Sequence, residues 1–396
     1  MKVLYLTSME NTLNNDIHAN QVLNLQNHGI DYCFLFLSPK FILNKAGFSI
    51  NNNRFDNKVV KEYKLPILSY HMGMHVFMIP YFLLISLFPF LFTLKREKPE
   101  IVHCRNMLST LLATFCKLCF RKKYKIVCDP RSVYVEELVI TNTFKYSGFN
   151  YNKWKKLEAW IYKNSDACIG LSHNFMTYLQ QFNRNSYYIP AVVNDNYHFD
   201  EERRKELRSK FELSDNDLVC CYIGSIGAWH SVDNFFKCLD LVREKLNKEK
   251  NIKIVFLSGN QSVCEEINKR YSKNELLKIG RVAPSEILNY LLISDLGLVP
   301  GSEKEGYCYD LLYDTMISSK AEEYIGAGLP ILVHPRIKSL VKMVEENDLG
   351  VIMSSNTDFC CLFDRSAISA YGHNQFSVSS VITAYRHLYE SLLLDK

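Results

Sequence analysis

Short apolar runs recur along the whole chain, each followed by a longer stretch with helical spacing, and that alternation points to layered α/β domains. In the first half the runs are 3–6, 32–37, 101–104, 125–128, 167–171 and 187–189. In the second half they are 218–223, 252–257, 277–279, 296–299, 331–333 and 351–353. They are bounded by polar, Gly or Pro residues and do not alternate apolar with polar. A strand without that alternation is buried on both faces, as in a parallel sheet covered by helices. The expected fold is therefore α/β, with one doubly wound domain in each half.

The 396 residues suit two domains at roughly 100–200 residues each. Hydrophobic residues at 47% and charged residues at 22% allow a full core in both and exclude a disordered chain. The polar stretch 190–200 marks the boundary, placing the domains at 1–195 and 196–375. Residues 376–396 then form a C-terminal helix expected to pack back on the first domain, because apolar residues recur at helical spacing from 377 to 394. The net charge of +5 is mild and gives no reason to expect nucleic acid.

Thirteen cysteines lie scattered in apolar segments, which reads as reduced thiols in a cytoplasmic protein. Cys116 and Cys119 form a C-x-x-C with no second pair, so packing is expected there and no metal. The N-terminal apolar run is too short for a signal peptide and reads as a first buried strand.

Residues 76–94 hold no charge and are rich in Phe, Leu and Ile, though Pro80 and Pro89 interrupt them. Three readings stand: a helix lying on the membrane face, which is preferred, a core helix, and a spanning helix. Lys95, Arg96 and Lys98 follow the run, and Arg121, Lys122, Lys123 and Lys125 form a second basic cluster. Lys153, Trp154, Lys155, Lys156 and Trp160 interleave cations with aromatics. Together they lead to the expectation of a cytoplasmic protein held at an anionic inner membrane face.

The segment 319–332 carries the clearest chemistry. Lys320 and Glu323 share one face of a helical turn, Gly328 suits a left-handed cap, and Pro330 ends the helix before a strand. A carboxylate can accept from both ribose hydroxyls of a nucleotide, and a lysine can meet its diphosphate. The bland alternative is a surface helix with an ordinary salt bridge. This stretch resembles the donor motif K-x-x-E-Y-x-x-x-G-x-P of the retaining GT-B glycosyltransferases of the "glycosyl transferase group 1" family, with Lys320, Glu323, Tyr324, Gly328 and Pro330 in register.

Further stretches are similar to that family. Gly224, Ser225 and Gly227 follow a strand and precede a helix, a place where backbone amides and a helix N-terminus favour phosphate. The Arg and Lys that many members carry beyond this loop are replaced by Ala228, Trp229 and His230. Gly280, Arg281 and Val282 resemble the stretch against which the nucleobase stacks. The first glutamate of the usual E-x-x-x-x-x-x-x-E pair is Thr315 here, and the segment 303–310 is a candidate loop to replace it. In the first half, Asp129, Arg131, Glu136 and Glu137 resemble a D-x-R-G…E-E pattern with Ser132 for the glycine. The loop 8–18 lacks the family's glycines.

The resemblance implies two Rossmann-like domains facing a cleft, the first binding acceptor and the second a nucleotide-diphosphate sugar. It implies transfer of the sugar with retention and no obligatory metal or other cofactor. Lys320 and Arg131 are the catalytic candidates. Gly224, Ser225, Gly227, Arg281, Val282, Lys320 and Glu323 are the donor-binding candidates. Asp129, Glu137 and His103 are placed on the acceptor side, His103 with a core role as its first alternative. The expected acceptor is lipid-linked or a glycan. Asp215-x-Asp217 opens a strand, the wrong end for a metal site in such a sheet. Two other functions stay open: a GT-B nucleotide-sugar 2-epimerase, and a non-catalytic nucleotide-sugar binding protein.

Overall fold

The computed structural model describes residues 1–8, 30–41, 60–67, 75–245, 250–354 and 363–394, with side chains left aside at 39–41 and 60–67. The loop 9–18 lies outside the described residues. The chain divides into two units, Met1–Pro190 with Val381–Lys396, and Ala191–Ser380. The division thus falls at 190/191 and 380/381, where the sequence suggested 195 and 376.

Among the described residues unit 1 has seven parallel strands in the order β3-β2-β1-β4-β5-β6-β7. They are β1 (Lys2–Ser8), β2 (Asp31–Phe41), β3 (Val60–Ile67), β4 (Ile101–Arg105), β5 (Lys125–Asp129), β6 (Ala167–Gly170) and β7 (Ser186–Tyr188). Between them lie α1 (Ile79–Glu97), α2 (Met107–Cys119), α3 (Tyr134–Ile140), α4 (Phe149–Lys163) and α5 (His173–Gln180). The central strands β1, β4 and β5 are buried on both faces, which is why they read as unbroken apolar runs.

Helix α1 contains most of the uncharged run. Pro80 sits in its first turn, where the missing N–H has no partner to lose, so it starts the helix. Pro89 lies inside the helix, buried, and costs one backbone hydrogen bond without ending it. One face of α1 buries Phe82, Ser86, Pro89, Phe90, Thr93 and Leu94. The other leaves Leu84 and Phe88 exposed by 72% and 77%, and Phe77, in the turn just before α1, is exposed by 73%. The segment is therefore not a fully buried core helix: it is apolar on both faces and only partly covered by unit 1.

The basic-aromatic segment needs a correction. Trp154 is fully buried in unit 1, and only Lys153, Lys156 and Trp160 of that segment are exposed. Lys155 lies inside a buried charge cluster: its Nζ pairs with Glu158, lies 3.0 Å from Glu136 Oε1 and donates to the Tyr178 hydroxyl at 2.9 Å. The cause is helical spacing, since Tyr151, Trp154, Glu158 and Ile161 share the inner face of α4.

Unit 2 begins with α6 (Glu201–Lys210), capped by Asp200, which accepts from the Arg203 N–H. Its six parallel strands run β10-β9-β8-β11-β12-β13. They are β8 (Asp217–Ile223), β9 (Asn251–Leu257), β10 (Leu276–Ile279), β11 (Leu296–Val299), β12 (Ile331–Val333) and β13 (Gly350–Ile352). The other helices are α7 (Val232–Lys245), α8 (Gln261–Arg270), α9 (Ile287–Ile293), α10 (Tyr307–Thr315), α11 (Ser319–Gly326), α12 (Lys338–Asn347) and α13 (Arg365–Phe376). A last helix, α14 (Val378–Leu394), starts in unit 2 and continues as part of unit 1.

Helix α11 is fixed on two sides. Tyr324 is fully buried; its hydroxyl accepts the Ile223 N–H at 2.9 Å and donates to the Cys221 carbonyl at 3.4 Å. Its ring fills the space that any side chain at Gly297 of β11 would need. On the other side, α13 crosses α11 at Gly326 and Gly372, where an added Cβ on Gly372 would meet Gly326 Cα at 2.8 Å. The tyrosine of the motif thus serves the scaffold, holding the helix that presents Lys320 and Glu323.

Candidate active site

Of the donor candidates, Gly224, Ser225, Gly227 and Lys320 collect at the C-terminal end of β8, beside the reversal of strand order between β8 and β11. Gly224 adopts φ +87°, open to glycine and rarely to other residues, while its N–H donates to Leu257 at 2.8 Å. An added Cβ there would lie 3.1 Å from Lys320 Cε, so the lysine stem runs over this loop. Lys320 Nζ stands 5.5 Å from the centre of the Tyr222 ring, a cation–π contact. Ser225 and Gly227 are exposed, and nothing lies within 4 Å of a Cβ added at Gly227. Ser231 Oγ accepts the Asn234 N–H at 3.1 Å and caps the start of α7.

Lys320 and Glu323 are both part-buried and have no ion pair or hydrogen bond among the described residues. Burial pushes the Lys320 ammonium down to about 8, with Glu323 opposing. Burial pushes the Glu323 carboxyl up to about 7, with Lys320 opposing. Two charged groups held without bonded partners mark a site made for a ligand more than a structural pair.

His230 was not chosen from the sequence as a site residue. It is 3% exposed, its carbonyl accepts the Gly227 N–H at 2.9 Å, and its Nδ1 has no partner among the described residues. Burial and then Lys320 keep its imidazole below the usual range, hence neutral. Its position just past the glycine loop was the available signal.

Arg281 and Val282 lie after β10, two strands from β8. The Arg281 side chain is exposed and lies flat on Gly259, where an added Cβ would come 2.3 Å from its Nε. Val282 packs partly on the core of unit 2. The segment 303–310 is less of a loop than expected, because α10 starts at Tyr307. Its first acid is engaged: Glu303 accepts from Lys237 at 3.2 Å and pairs with His334 at 3.4 Å.

The acids at the opposite end of the unit 2 sheet are engaged within the fold: Asp295 accepts from Arg204 and Arg208. Asp217 accepts from the Ser214 N–H and hydroxyl at the N-terminal end of β8. It lines a cavity of about 420 Å³ with Asp215, Asp295, Arg204, Arg208 and Arg365. Those arginines donate to the carbonyls that end α9, at Leu292, Ile293 and Ser294. Among the described residues no three His, Cys, Asp or Glu side chains are placed to share a metal ion.

In unit 1 the structure brings Asp129, Arg131 and His103 together. Asp129 Oδ2 lies 3.4 Å from Arg131 Nη1 and 3.5 Å from His103 Nε2. Burial raises the Asp129 carboxyl, but Arg131, His103 and Arg105 outweigh it and hold it at about 2. His103 is fully buried, stacked on Tyr5 at 4.9 Å, with Nδ1 2.6 Å from the Tyr389 hydroxyl. Its placement on the acceptor side is therefore corrected: β4 is a central strand covered by α14, and the ring orients Asp129 from behind. Glu136 and Glu137 separate, the first into the Lys155 cluster and the second to part exposure on α3. Burial pushes Glu137 up to about 7, with Ser132 opposing and Glu136 adding.

No protein-family model matches the chain, and no curated protein matches it in sequence. Solved structures do resemble it over its whole length. Anabaena HepE, in complex with UDP, superimposes with a TM-score of 0.67 at 10% identity, covering 99% of this chain and 100% of that one. Sucrose-phosphate synthase from Thermosynechococcus elongatus gives 0.68 at 12% identity, with 100% of both chains covered. WaaG, a glycosyltransferase involved in lipopolysaccharide biosynthesis, gives 0.55 at 13%, covering 98% of this chain and 94% of that one. At these identities the likeness is one of fold: two doubly wound units of the GT-B class.

Proposed function

We propose that the chain is a glycosyltransferase that moves a sugar from a nucleotide-diphosphate sugar to a lipid-linked or glycan acceptor, with retention at the anomeric carbon. The observation that carries this is the Lys320–Glu323 pair beside the open glycine loop at the strand reversal of unit 2. Glu323 accepts from the ribose hydroxyls, the loop amides and the α7 N-terminus meet the phosphates, and Lys320 faces the charge that grows on the diphosphate. The acceptor hydroxyl oxygen bonds to the anomeric carbon as the bond from that carbon to phosphate oxygen breaks. The hydroxyl proton passes to the departing diphosphate. HepE, solved also with UDP-glucose, and WaaG, a glycosyltransferase involved in lipopolysaccharide biosynthesis, support this reading. A nucleotide-sugar 2-epimerase would use the same donor pair, but the exposed aromatic face of α1 favours an acceptor at a membrane.

That face is the contact we propose with the inner membrane surface. Leu84, Phe88 and Phe92 are exposed on α1 and Phe77 in the turn before it, and Phe149 stacks on Phe77 at 5.4 Å. Lys95, Arg96 and Lys98 close the helix and its cap, and each cation near an anionic leaflet contributes about 1 kcal/mol.

The experiment has two parts. A panel of nucleotide diphosphates is screened by thermal shift, and the matching radiolabelled sugar donor is incubated with membrane lipids. Stabilisation by one nucleotide and label in the lipid fraction are expected; label that returns only as a changed free nucleotide sugar would indicate epimerisation. Flotation should show binding to anionic vesicles that weakens as salt rises. Protein that floats under no condition removes the membrane contact and leaves a soluble acceptor.

A further inference from the structure

At the C-terminal edge of the unit 1 sheet, three polar residues form a row across neighbouring strands. The parallel register sets Thr7 of β1 opposite Arg105 of β4, and Arg105 opposite Asp129 of β5. Successive side chains of a strand alternate between faces, so residues level with one another across a parallel pair share a face. Two residues below, Tyr5, His103 and Val127 form the next row of that face. Tyr385 and Tyr389 of α14 pack edge-on against His103 and close this lower row. The upper row lies where strand order reverses, with β2 on one side of β1 and β4 on the other. Ligands of open α/β sheets bind at such reversals, beyond the strand C-termini.

The row is buried, and part of it is unsatisfied. Thr7 is 1% exposed, Arg105 6% and Asp129 0%. Thr7 Oγ1 and Asp129 Oδ1 have no hydrogen-bond partner among the described residues. Native folds leave few such atoms, and those that remain call for an explanation. Arg131, two residues beyond Asp129, is held at φ +68°, a conformation uncommon outside glycine and often found at functional sites. The Arg105 guanidinium lies close to the Tyr5 hydroxyl and to Asp129. Two forked guanidinium groups thus stand with one carboxylate and one hydroxyl, all at the ends of adjacent strands.

We propose that this row is a binding site for a sugar bearing an oxyanion, either a phosphate or a carboxylate. The oxyanion meets Arg131, whose forked donors match phosphate and carboxylate geometry, with the charge of Arg105 close behind it. A hydroxyl of the same sugar donates to Asp129 Oδ1, and Thr7 donates to the ligand. Asp129 Oδ2 holds the Arg131 guanidinium in place while Oδ1 is kept for the sugar. That the bound sugar belongs to the acceptor rests on the function proposed above; the site itself does not.

Calorimetry on the full chain at fixed ionic strength would test this, with glucose 6-phosphate, glucuronate and neutral glucose as probes and UDP titrated separately. At least one anionic sugar should bind about tenfold more tightly than glucose. Preference for glucose 6-phosphate indicates a phosphate-bearing ligand, and preference for glucuronate a sugar acid. Arg131→Gln and Thr7→Val should each weaken that binding by about tenfold. Thr7→Val removes only a hydroxyl from a side chain of nearly constant shape, so its thermal midpoint should hold and its UDP binding should match the parent. Equal binding of all three sugars, or binding that survives either substitution, overturns the site. Binding lost in Glu323→Ala also overturns it, by placing the sugar in unit 2. If UDP does not bind the parent while an anionic sugar does so through Arg131 and Thr7, the proposed donor fails and the site stands.

Discussion

The chain is wound outward from the middle of a parallel sheet twice, leaving one reversal at β1/β4 and another at β8/β11. What stands at the two reversals differs. In unit 2 it is mostly backbone: Gly224 at φ +87°, the open Gly227 and the amides that start α7, with one lysine and one glutamate above them. In unit 1 it is side chains: Thr7, Arg105, Asp129 and Arg131. Backbone amides suit a diphosphate, which offers the same oxygens whatever it is attached to. Side chains suit a sugar, whose groups differ by position. The buried charges differ in the same way. Lys155 of unit 1 is bonded to three partners, whereas the side chains of Lys320 and Glu323 in unit 2 have no hydrogen-bond or ion-pair partner among the described residues. A satisfied cluster holds a fold, and an unsatisfied one waits for a ligand.

The largest effect should come from breaking the satisfied cluster. Lys155→Met leaves Glu136 and Glu158 buried without their cation, and removing one partner of a buried ion pair costs about 3–5 kcal/mol. Chemical denaturation should show that loss, while UDP affinity of the folded fraction stays at the parent value. A fall in affinity without a fall in stability would mean that the cluster also serves the site.

Next comes the unsatisfied pair. Glu323→Ala should weaken UDP binding by about 1.5–3 kcal/mol, the worth of a charged hydrogen-bond partner, with no loss of thermal stability. Lys320→Ala should lower kcat more than it raises donor KM, because the diphosphate gains charge only as the glycosidic bond breaks. An unchanged kcat would assign that stabilisation to another group.

A smaller effect appears on titration. Glu323 titrates at about 7 in the ligand-free protein, so its carboxylate is lost to the ribose as pH falls below that value. Lys320 titrates at about 8, so its ammonium is lost to the diphosphate as pH rises above it. UDP affinity should therefore peak between about 7 and 8 and fall by up to about tenfold per pH unit on each side. Glu323→Gln should flatten the acid arm and Lys320→Met the alkaline arm. A flat profile in the parent protein would remove these groups from the contact.

Much of the fold was legible because burial on both faces leaves a local mark. Each apolar run read as a strand is one. Strand β3 was missed because Lys61, Lys64 and Pro66 break its run, as suits an edge strand beside β2 alone. Unit 2's donor pair was legible because it sits within one helical turn, in a motif of fixed spacing. The unit 1 row was not, because Thr7, Arg105 and Asp129 meet only through strand register across a long stretch of chain. Trp154 and Lys155 misled as an interfacial cluster, although the recurrence of Tyr151, Trp154, Glu158 and Ile161 already marked the buried face of α4.

The smallest effect tests the comparison most directly. Lys320 has a folded pKa of about 8, below its ordinary 10.5, so the unfolded chain binds more protons between these values and stability rises with pH there. Glu323 has a folded pKa of about 7, above its ordinary 4.5, so the folded chain binds more protons between these values and stability falls as pH rises there. Both charges therefore weigh against the fold together between about pH 7 and 8, offset in part by their mutual attraction. Replacing both at once, as Lys320→Met with Glu323→Gln, removes the charges without stranding either partner. The ligand-free double variant should gain on the order of 1–2 kcal/mol at pH 7.5, discounted for partial solvent access, and its midpoint should rise by roughly 2–4 °C. The gain should shrink as pH falls from 7 toward 4.5 and as it rises from 8 toward 10.5, because each group in turn becomes neutral first in the folded chain and then in the unfolded one. UDP should no longer stabilise this variant, although it stabilises the parent. A double variant that melts earlier than the parent would show that the pair holds unit 2 together as Lys155 holds unit 1, and the contrast between the two units would fail.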